Sequence, residues 1–418
     1  MTIDLQVKRQ DLGKRVLLGI ALGIPFLATS GAGWDGGDGG FFEPRHLSSI
    51  PGETRDQLKQ WGLTEEVNIV GEGLWNAKGG RNTHHSGEYR GNIGLSLELD
   101  TGQAGLWEEG TLFLHLDLTR GSPFTEEHVG AYMCSSNIEC EDVTQISEVW
   151  YRQYLFDHKV WVKLGKIDAN AEFARIDYAG EFIHSCGAFS PNIPLPTYPD
   201  PDWGIILGTD PEQPFSIAAG VFQGRPDGGR SLGDSFERWE GPLVLVEPSC
   251  RYDLRGHSGR LALGGWWNGD EFDRLDQDLE DPGTVNGAHG FYVTLEQEIW
   301  RENPGCAEGE EQGIGWFLHW AWAPEDRSEV KRFIGTGLQW TGMVPGRDSD
   351  ISGAALFRAT FSDELVAVHG AESAIEVFHE ARLTENLSLR PVVQYIVDPI
   401  DANGKDALVL GLRFEMSF

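Results

Sequence analysis

The chain has 418 residues, with 33 Lys and Arg against 65 Asp and Glu, a formal net charge of -32, and 40% hydrophobic residues. Such an acidic chain excludes nucleic acid as a partner, because that affinity comes largely from basic side chains neutralising phosphates. Its 54 Gly and 15 Trp disfavour a helical protein and point to an all-β fold, since Gly weakens helices and Trp favours strands.

In chain order, Lys8, Arg9, Lys14 and Arg15 precede an apolar run from Val16 to Ala28, and Ser30 and Ala32 supply small residues at a cleavage site. Residues 1–32 are therefore expected to be a secretory signal peptide, the apolar run being too short to span a bilayer as a helix. Residues 33–63 read as a linker, Gly-rich over 33–40, leading to a short polar periplasmic helix over 53–61. Export permits disulfides. Among five Cys, only Cys134 and Cys140 lie close enough in sequence to suggest a local bridge, and no spacing matches a zinc site.

From residue 64 to 418 the hydrophobic period is two. Tyr89, Gly91, Ile93, Leu95, Leu97 and Leu99 share one face, and Leu112, Leu114, Leu116 and Leu118 oppose Phe113, His115 and Asp117. The last strand sets Leu408, Leu410, Leu412, Phe414, Met416 and Phe418 against Val409, Arg413, Glu415 and Ser417. Counting such segments predicts sixteen strands. The long connections, 121–141, 168–201, 224–242 and 269–287, all follow odd-numbered strands, whereas connections after even-numbered strands are short. A membrane barrel has this asymmetry, and an even strand count returns both termini to the periplasm.

Alternation reports a contrast between two faces and not its direction. A soluble sandwich buries the leucine face, whereas a porin turns it toward lipid and its charged face toward water. Acidic residues and Trp on the polar face of nearly every strand favour a solvated interior.

The segment from Gln145 to Asn170, continuing through Glu172-Phe173-Ala174, resembles the central signature of the carbohydrate-selective outer-membrane porins of the OprB type. Leu195–Pro199 leading to Gly204, Ala218–Gly224 and Leu389–Ile396 are similar to further blocks of that family in order and spacing. The resemblance spans residues 47–418. It implies a 16-stranded antiparallel transmembrane β-barrel with inward-folded loops in the bacterial outer membrane, passing small sugars by passive diffusion. It also implies contact with outer-membrane lipids and recognition of the terminal Phe418 by the insertion machinery. A homo-oligomer is left open, and no cofactor is expected. The N-terminal block (SSIPGETRDQLKQWGL), the acidic balance and the Cys134/Cys140 insertion depart from the family pattern and bear on selectivity.

Sugar passage calls for aromatic planes against pyranose faces and planar polar groups for hydroxyls. The candidate pore-lining residues are Glu148, Trp150 and Arg152 on one strand face, Trp161 and Lys163 on the next strand, and Arg175 in the Asp168–Asp202 segment. That segment is the natural constriction loop. It carries Phe173, Tyr178, Phe182, His184, Phe189 and Tyr198, and is stiffened by Pro191, Pro194, Pro196, Pro199 and Pro201. His84-His85 has no third metal ligand at a known spacing, Asp270–Asp281 lacks the glycine of a calcium-binding loop, and no nucleophile elbow supports a hydrolase. A cation-preferring general porin, and a secreted soluble all-β carbohydrate-binding protein or hydrolase, remain as alternatives at this level.

Overall fold

The computed structural model describes residues 52–224, 241–275, 283–302, 312–365 and 370–418. The expected signal peptide and Gly-rich linker lie outside these residues. The polar helix is present as α1 (Gly52–Gln60), with Lys59 in its last turn, where a cation complements the carbonyl end of the helix.

The rest is strand. The first eight are β1 (Leu63–Gly79), β2 (Gly87–Asp100), β3 (Gly110–Gly121), β4 (Val143–Leu155), β5 (Val160–Ile167), β6 (Asp202–Thr209), β7 (Phe215–Gln223) and β8 (Pro242–Leu254). They are followed by β9 (His257–Asp273), β10 (Thr284–Arg301), β11 (Gly313–Trp322), β12 (Val330–Thr341), β13 (Ile351–Phe361), β14 (Ala371–Thr384), β15 (Leu387–Val397) and β16 (Ala407–Ser417). Each strand pairs with its sequence neighbours, and β1 pairs antiparallel with β16, with Trp75 opposite Leu410, so the sheet closes on itself. Closure removes the unpaired edges that a flat sheet would expose.

The direction of the alternation follows from burial. On β14, Ile375 and Val377 are 43% and 51% exposed while Glu376 between them is 0% exposed. On the final hairpin, Val393 and Leu412 face outward while Arg390, Gln394 and Arg413 are buried inside. Exposed aliphatics recur on the outer face of nearly every strand, among them Ile93, Leu112, Leu164, Leu207, Val221, Leu263, Leu338 and Leu356. A closed barrel wrapped in such a band is soluble in lipid and not in water.

Connections after even-numbered strands form one rim. Arg255 and Gly256 join β8 to β9 with φ of 60° and 87°, the paired positive dihedrals of a two-residue hairpin that matches strand twist. The connections after odd-numbered strands form the other rim. One expected loop is shorter than its polar composition suggested. The ladder from β9 to β10 continues to the pair Asp273–Thr284, so residues 269–273 and 284–287 are strand and only 274–283 connect them. Asp270 in the acidic stretch is accordingly buried, and residues 276–281 of that stretch lie outside the described residues.

Candidate functional site

A register irregularity on β4 builds the site. His115 and Leu116 on β3 face Glu148 and Ile146, so Ser147 is an extra residue and the inward parity switches there. Gln145 and Ser147 point inward before the irregularity, and Glu148, Trp150 and Arg152 after it. Trp150 thereby sits opposite Phe113, their rings stacked at 4.7 Å between centroids and 18° between planes, and Phe113 is in turn parallel to His115 at 6.4 Å.

Four of the six predicted residues converge here. Trp150 Nε1 donates to Glu148 Oε2 at 3.0 Å, and Lys163 Nζ lies 4.2 Å from the Trp150 ring centroid and 3.1 Å from Glu172 Oε1. The Arg152 guanidinium lies 5.6 Å from the ring of Trp150 and 5.1 Å from that of Tyr154. Among the described residues no acceptor meets the Arg152 Nε. Trp161 is in the same wall but is 5% exposed, packed over Gly208 of β6, with its Nε1 donating to Thr209 O at 3.0 Å. Arg175 stands apart, on the loop, paired with Asp177 at 2.6 Å. Phe113, Tyr154 and Glu172 complete the cluster. Parity alone placed Phe113 on the inner face, but the cross-strand register that sets it against Trp150 is invisible in a single strand.

The 168–201 loop is fastened round the inside of the wall by carboxylates that accept its backbone N–H groups. Glu148 Oε2 takes Asp168 N at 3.1 Å, Glu247 Oε2 on β8 takes Ala174 N at 2.7 Å, and Glu296 Oε1 on β10 takes Tyr178 N at 3.0 Å. Glu376 on β14 takes both Ile183 N and His184 N at 2.8 Å. Arg390 on β15 donates to Glu181 O at 2.9 Å and forms ion pairs with Glu181 and Glu380. The loop then returns to its start, with Tyr198 OH 2.9 Å from Thr119 on β3 and Pro199 O accepting from Gln145 on β4 at 2.6 Å. The carboxylate bonds satisfy backbone amides that a buried loop would otherwise leave orphaned.

Packing adds to this polar fastening. Phe182 sits among Phe317, Phe357 and Phe378 with ring centroids 5.9, 6.0 and 4.9 Å away, all edge-to-face. Gly353 makes room for it, since a Cβ there would lie 2.8 Å from Phe182 Cζ. His184 stacks on Phe357 at 5.1 Å and accepts from Cys186 N through Nδ1, and burial lowers its pKa to about 3, so the imidazole is neutral. Burial raises the Asp168 carboxyl to about 6, reinforced by the neighbouring Glu148.

The 122–142 connection also folds inward. Glu372 accepts from Tyr132 N and Met133 N at 2.8 Å, Gln394 Nε2 donates to Ser135 O at 2.7 Å, and Arg413 reaches Asn137 Oδ1 and Glu72 Oε2, both at 2.7 Å. Cys134, Cys186 and Cys250 are free thiols, so the local bridge between Cys134 and Cys140 is not formed. Cys140 Sγ instead lies 3.2 Å from Tyr198 OH, and burial pushes the Cys134 thiol up to about 12. Cys306 is outside the described residues.

Glu88, Glu127 and His128 form the one group among the described residues whose ligand atoms lie near enough to hold a metal ion, within 4.8 Å of each other. His84 and His85, whose rings meet edge-on at 4.1 Å, do not join it. Asn82 Oδ1 accepts from His84 N, which turns its amide nitrogen toward His128 Nδ1 at 3.4 Å. The imidazole proton is then on Nε2, 3.4 Å from Glu88 Oε1, an arrangement that makes a hydrogen bond and not a metal ligand.

Comparison with known proteins agrees with this architecture. The family model described as carbohydrate-selective porin, OprB family, matches residues 84–418. Porin B of Pseudomonas aeruginosa is 20% identical over 421 residues, covering 88% of this chain and 90% of that protein. The high-pH structure of Pseudomonas putida OprB superposes with a TM-score of 0.78 at 20% identity, covering 88% of this chain and 97% of that one. The low-pH structure of the same protein gives 0.57 at 17% identity, over 88% and 96% of the two chains.

Proposed function

The chain belongs to the carbohydrate-selective porins of the OprB family, is an outer-membrane porin for sugars, and from that premise we propose which of its residues a passing sugar meets. The track runs along β3–β5. Arg152, Glu148 and Glu172 offer hydroxyl partners beside the edges of Phe113 and Tyr154, while Trp150 and Lys163 hold Arg152 and Glu172 in place. Trp161 is a wall residue that packs the sheet at Gly208, and Arg175 meets the sugar separately, on the loop. Passage is by diffusion, with no catalytic step.

The observation that carries this assignment is the Arg152 guanidinium. It is held between two aromatic rings, and its Nε meets no acceptor among the described residues. A planar donor fixed by cation–π contacts and short of acceptors is arranged to bind hydroxyls. The cation-preferring alternative is less well supported, because Glu247, Glu296, Glu372 and Glu376 are engaged by loop amides and do not form a free acidic ring. Lipid surrounds the aliphatic band, and the terminal Phe418 is the handle for the insertion machinery. Assembly into a homo-oligomer would bury part of the same outer band.

Titrating glucose against the ion current of single channels tests the track. Arg152→Gln lowers glucose affinity about tenfold, the scale of a lost hydrogen bond to a charged donor. Unchanged affinity in that variant contradicts the assignment.

A further inference from the structure

A second polar recess lies inside the barrel on the far side of the strand ring from this track. It sits below the loop, at the rim of short connections where β9 and β11 begin and β10 and β12 end. Tyr178, Ser258, Glu298, Arg301, Gln339 and Thr341 line a space of about 230 Å³. That falls below the ~300–1,000 Å³ of a drug-sized site, so its occupant is a single ring.

The lining is organised for such a ring. Tyr178 is fixed twice: its N–H donates to Glu296 Oε1 at 3.0 Å, and its ring lies directly against Gly315, where any Cβ would collide with it. One aromatic plane is thus set against bare backbone at the edge of the recess. Across from it, Glu298 Oε2 accepts from Ser258 N at 3.1 Å and from Arg301 Nη2 at 2.9 Å, which orients a carboxylate and a guanidinium as a pair. Gln339 Oε1 is enclosed and has no donor among the described residues. A buried amide oxygen without a donor is a costly group to leave unmatched, and a hydroxyl entering the recess supplies the missing hydrogen.

We propose that this recess is a second holding station for a hexopyranose, at the periplasmic exit. The apolar face of the sugar lies on Tyr178, and its hydroxyls meet Gln339 and the Glu298–Arg301 pair. The inference rests on the sugar-porin reading and adds a site to it. A molecule leaving the Arg152 track crosses the lumen, rebinds under the loop and departs from there, so the channel has two sites in series.

The test uses the full chain in planar bilayers with glucose as the probe, resolving sugar-induced current fluctuations into relaxation components. The wild type is expected to show two components. Gln339→Leu, which keeps the volume and removes the amide, and Tyr178→Ala each reduce the occupancy of one component about tenfold, the scale of a lost hydrogen bond or ring contact in an enclosed site. Gln339→Asn, which keeps an amide, retains the component in part, and Arg152→Gln lowers the occupancy of the other about tenfold. Heat-modifiable migration confirms that each variant is folded. Persistence of both components in the two recess variants overturns the second station, as does a wild type with a single component that Arg152→Gln weakens. A wild type unaffected by glucose removes the sugar-porin reading itself, a separate and recognisable failure.

Discussion

Lys163 Nζ sits 4.2 Å from the ring centroid of Trp150, on the strand next to it, and the same ammonium pairs with Glu172 at the start of the constriction loop. The lysine is 3% exposed, so it is a hinge point between wall and loop and not a solvated charge in the lumen. Removing the ring removes the platform for both Lys163 and Arg152. Trp150→Leu is predicted to weaken glucose block of the ion current by about 1 kcal/mol, roughly fivefold, the range of a partly desolvated cation–π contact. An unaltered block would mean that the ring serves packing alone.

The loop fastening predicts a change in channel size. Glu376 accepts two adjacent loop amides and the Gln394 side chain, at 2.8 to 2.9 Å. Glu376→Ala leaves buried donors unpaired at a cost of about 1–3 kcal/mol each, so the loop detaches locally. Single-channel conductance is expected to rise and become noisier, and larger oligosaccharides to enter. Glu376→Gln keeps one acceptor oxygen and falls between the two. Wild-type conductance in the alanine variant would show that the phenylalanine cluster holds the loop without the carboxylate.

Asp168 gives the start of the loop a pH dependence. Its pKa, raised to about 6 by burial and by the nearby Glu148, lies above the usual value near 3.9 for a free carboxyl. The docked loop therefore binds a proton that the released loop does not, over the interval between those two values. Docking is favoured by this group below about pH 4, and the contribution is lost as pH rises through 6. Conductance noise should grow between pH 4 and 7 in the wild type and lose that part of its pH dependence in Asp168→Asn. A flat wild-type profile over the interval contradicts the assignment.

Polarity of the two faces predicts opposite responses from adjacent residues. Val377 is 51% exposed on the outer face of β14 and its neighbour Glu376 is fully buried inside. Val377→Arg places a charge against lipid, at about 2–4 kcal/mol near the bilayer midplane, and lowers the yield of heat-modifiable, membrane-inserted protein. The same substitution in a soluble sandwich would be tolerated on an outer face.

The barrel was legible in the sequence because period-two alternation and the long–short sequence of connections are local properties. The sixteen strands, and the sharing of one strand face by Glu148, Trp150 and Arg152, followed from them. Direction needed a further argument, from the charge of one face. Two matters were not legible. The parity switch at Ser147 and the opposition of Phe113 to Trp150 depend on register between strands, which periodicity within one strand does not encode. The role of the acidic face was also hidden. In the sequence, acidic residues on the polar faces mark only a solvated interior, yet Glu247, Glu296, Glu372 and Glu376 each grip loop amides far away in sequence, as Glu376 does with residues 192 and 193 positions earlier. Such long-range pairs leave no trace in composition. Cys134 and Cys140 illustrate the same limit, since proximity in sequence did not bring the two sulfurs into a bond.

Swelling of liposomes that contain the purified chain and are shifted into isosmotic sugar solutions tests the central claim most directly. A water-filled cylinder with the Arg152 track predicts rapid swelling in glucose, slower swelling in longer oligosaccharides, and a marked slowing for glucose in Arg152→Gln. No swelling in any sugar, from protein shown to be inserted and heat-modifiable, would contradict the account.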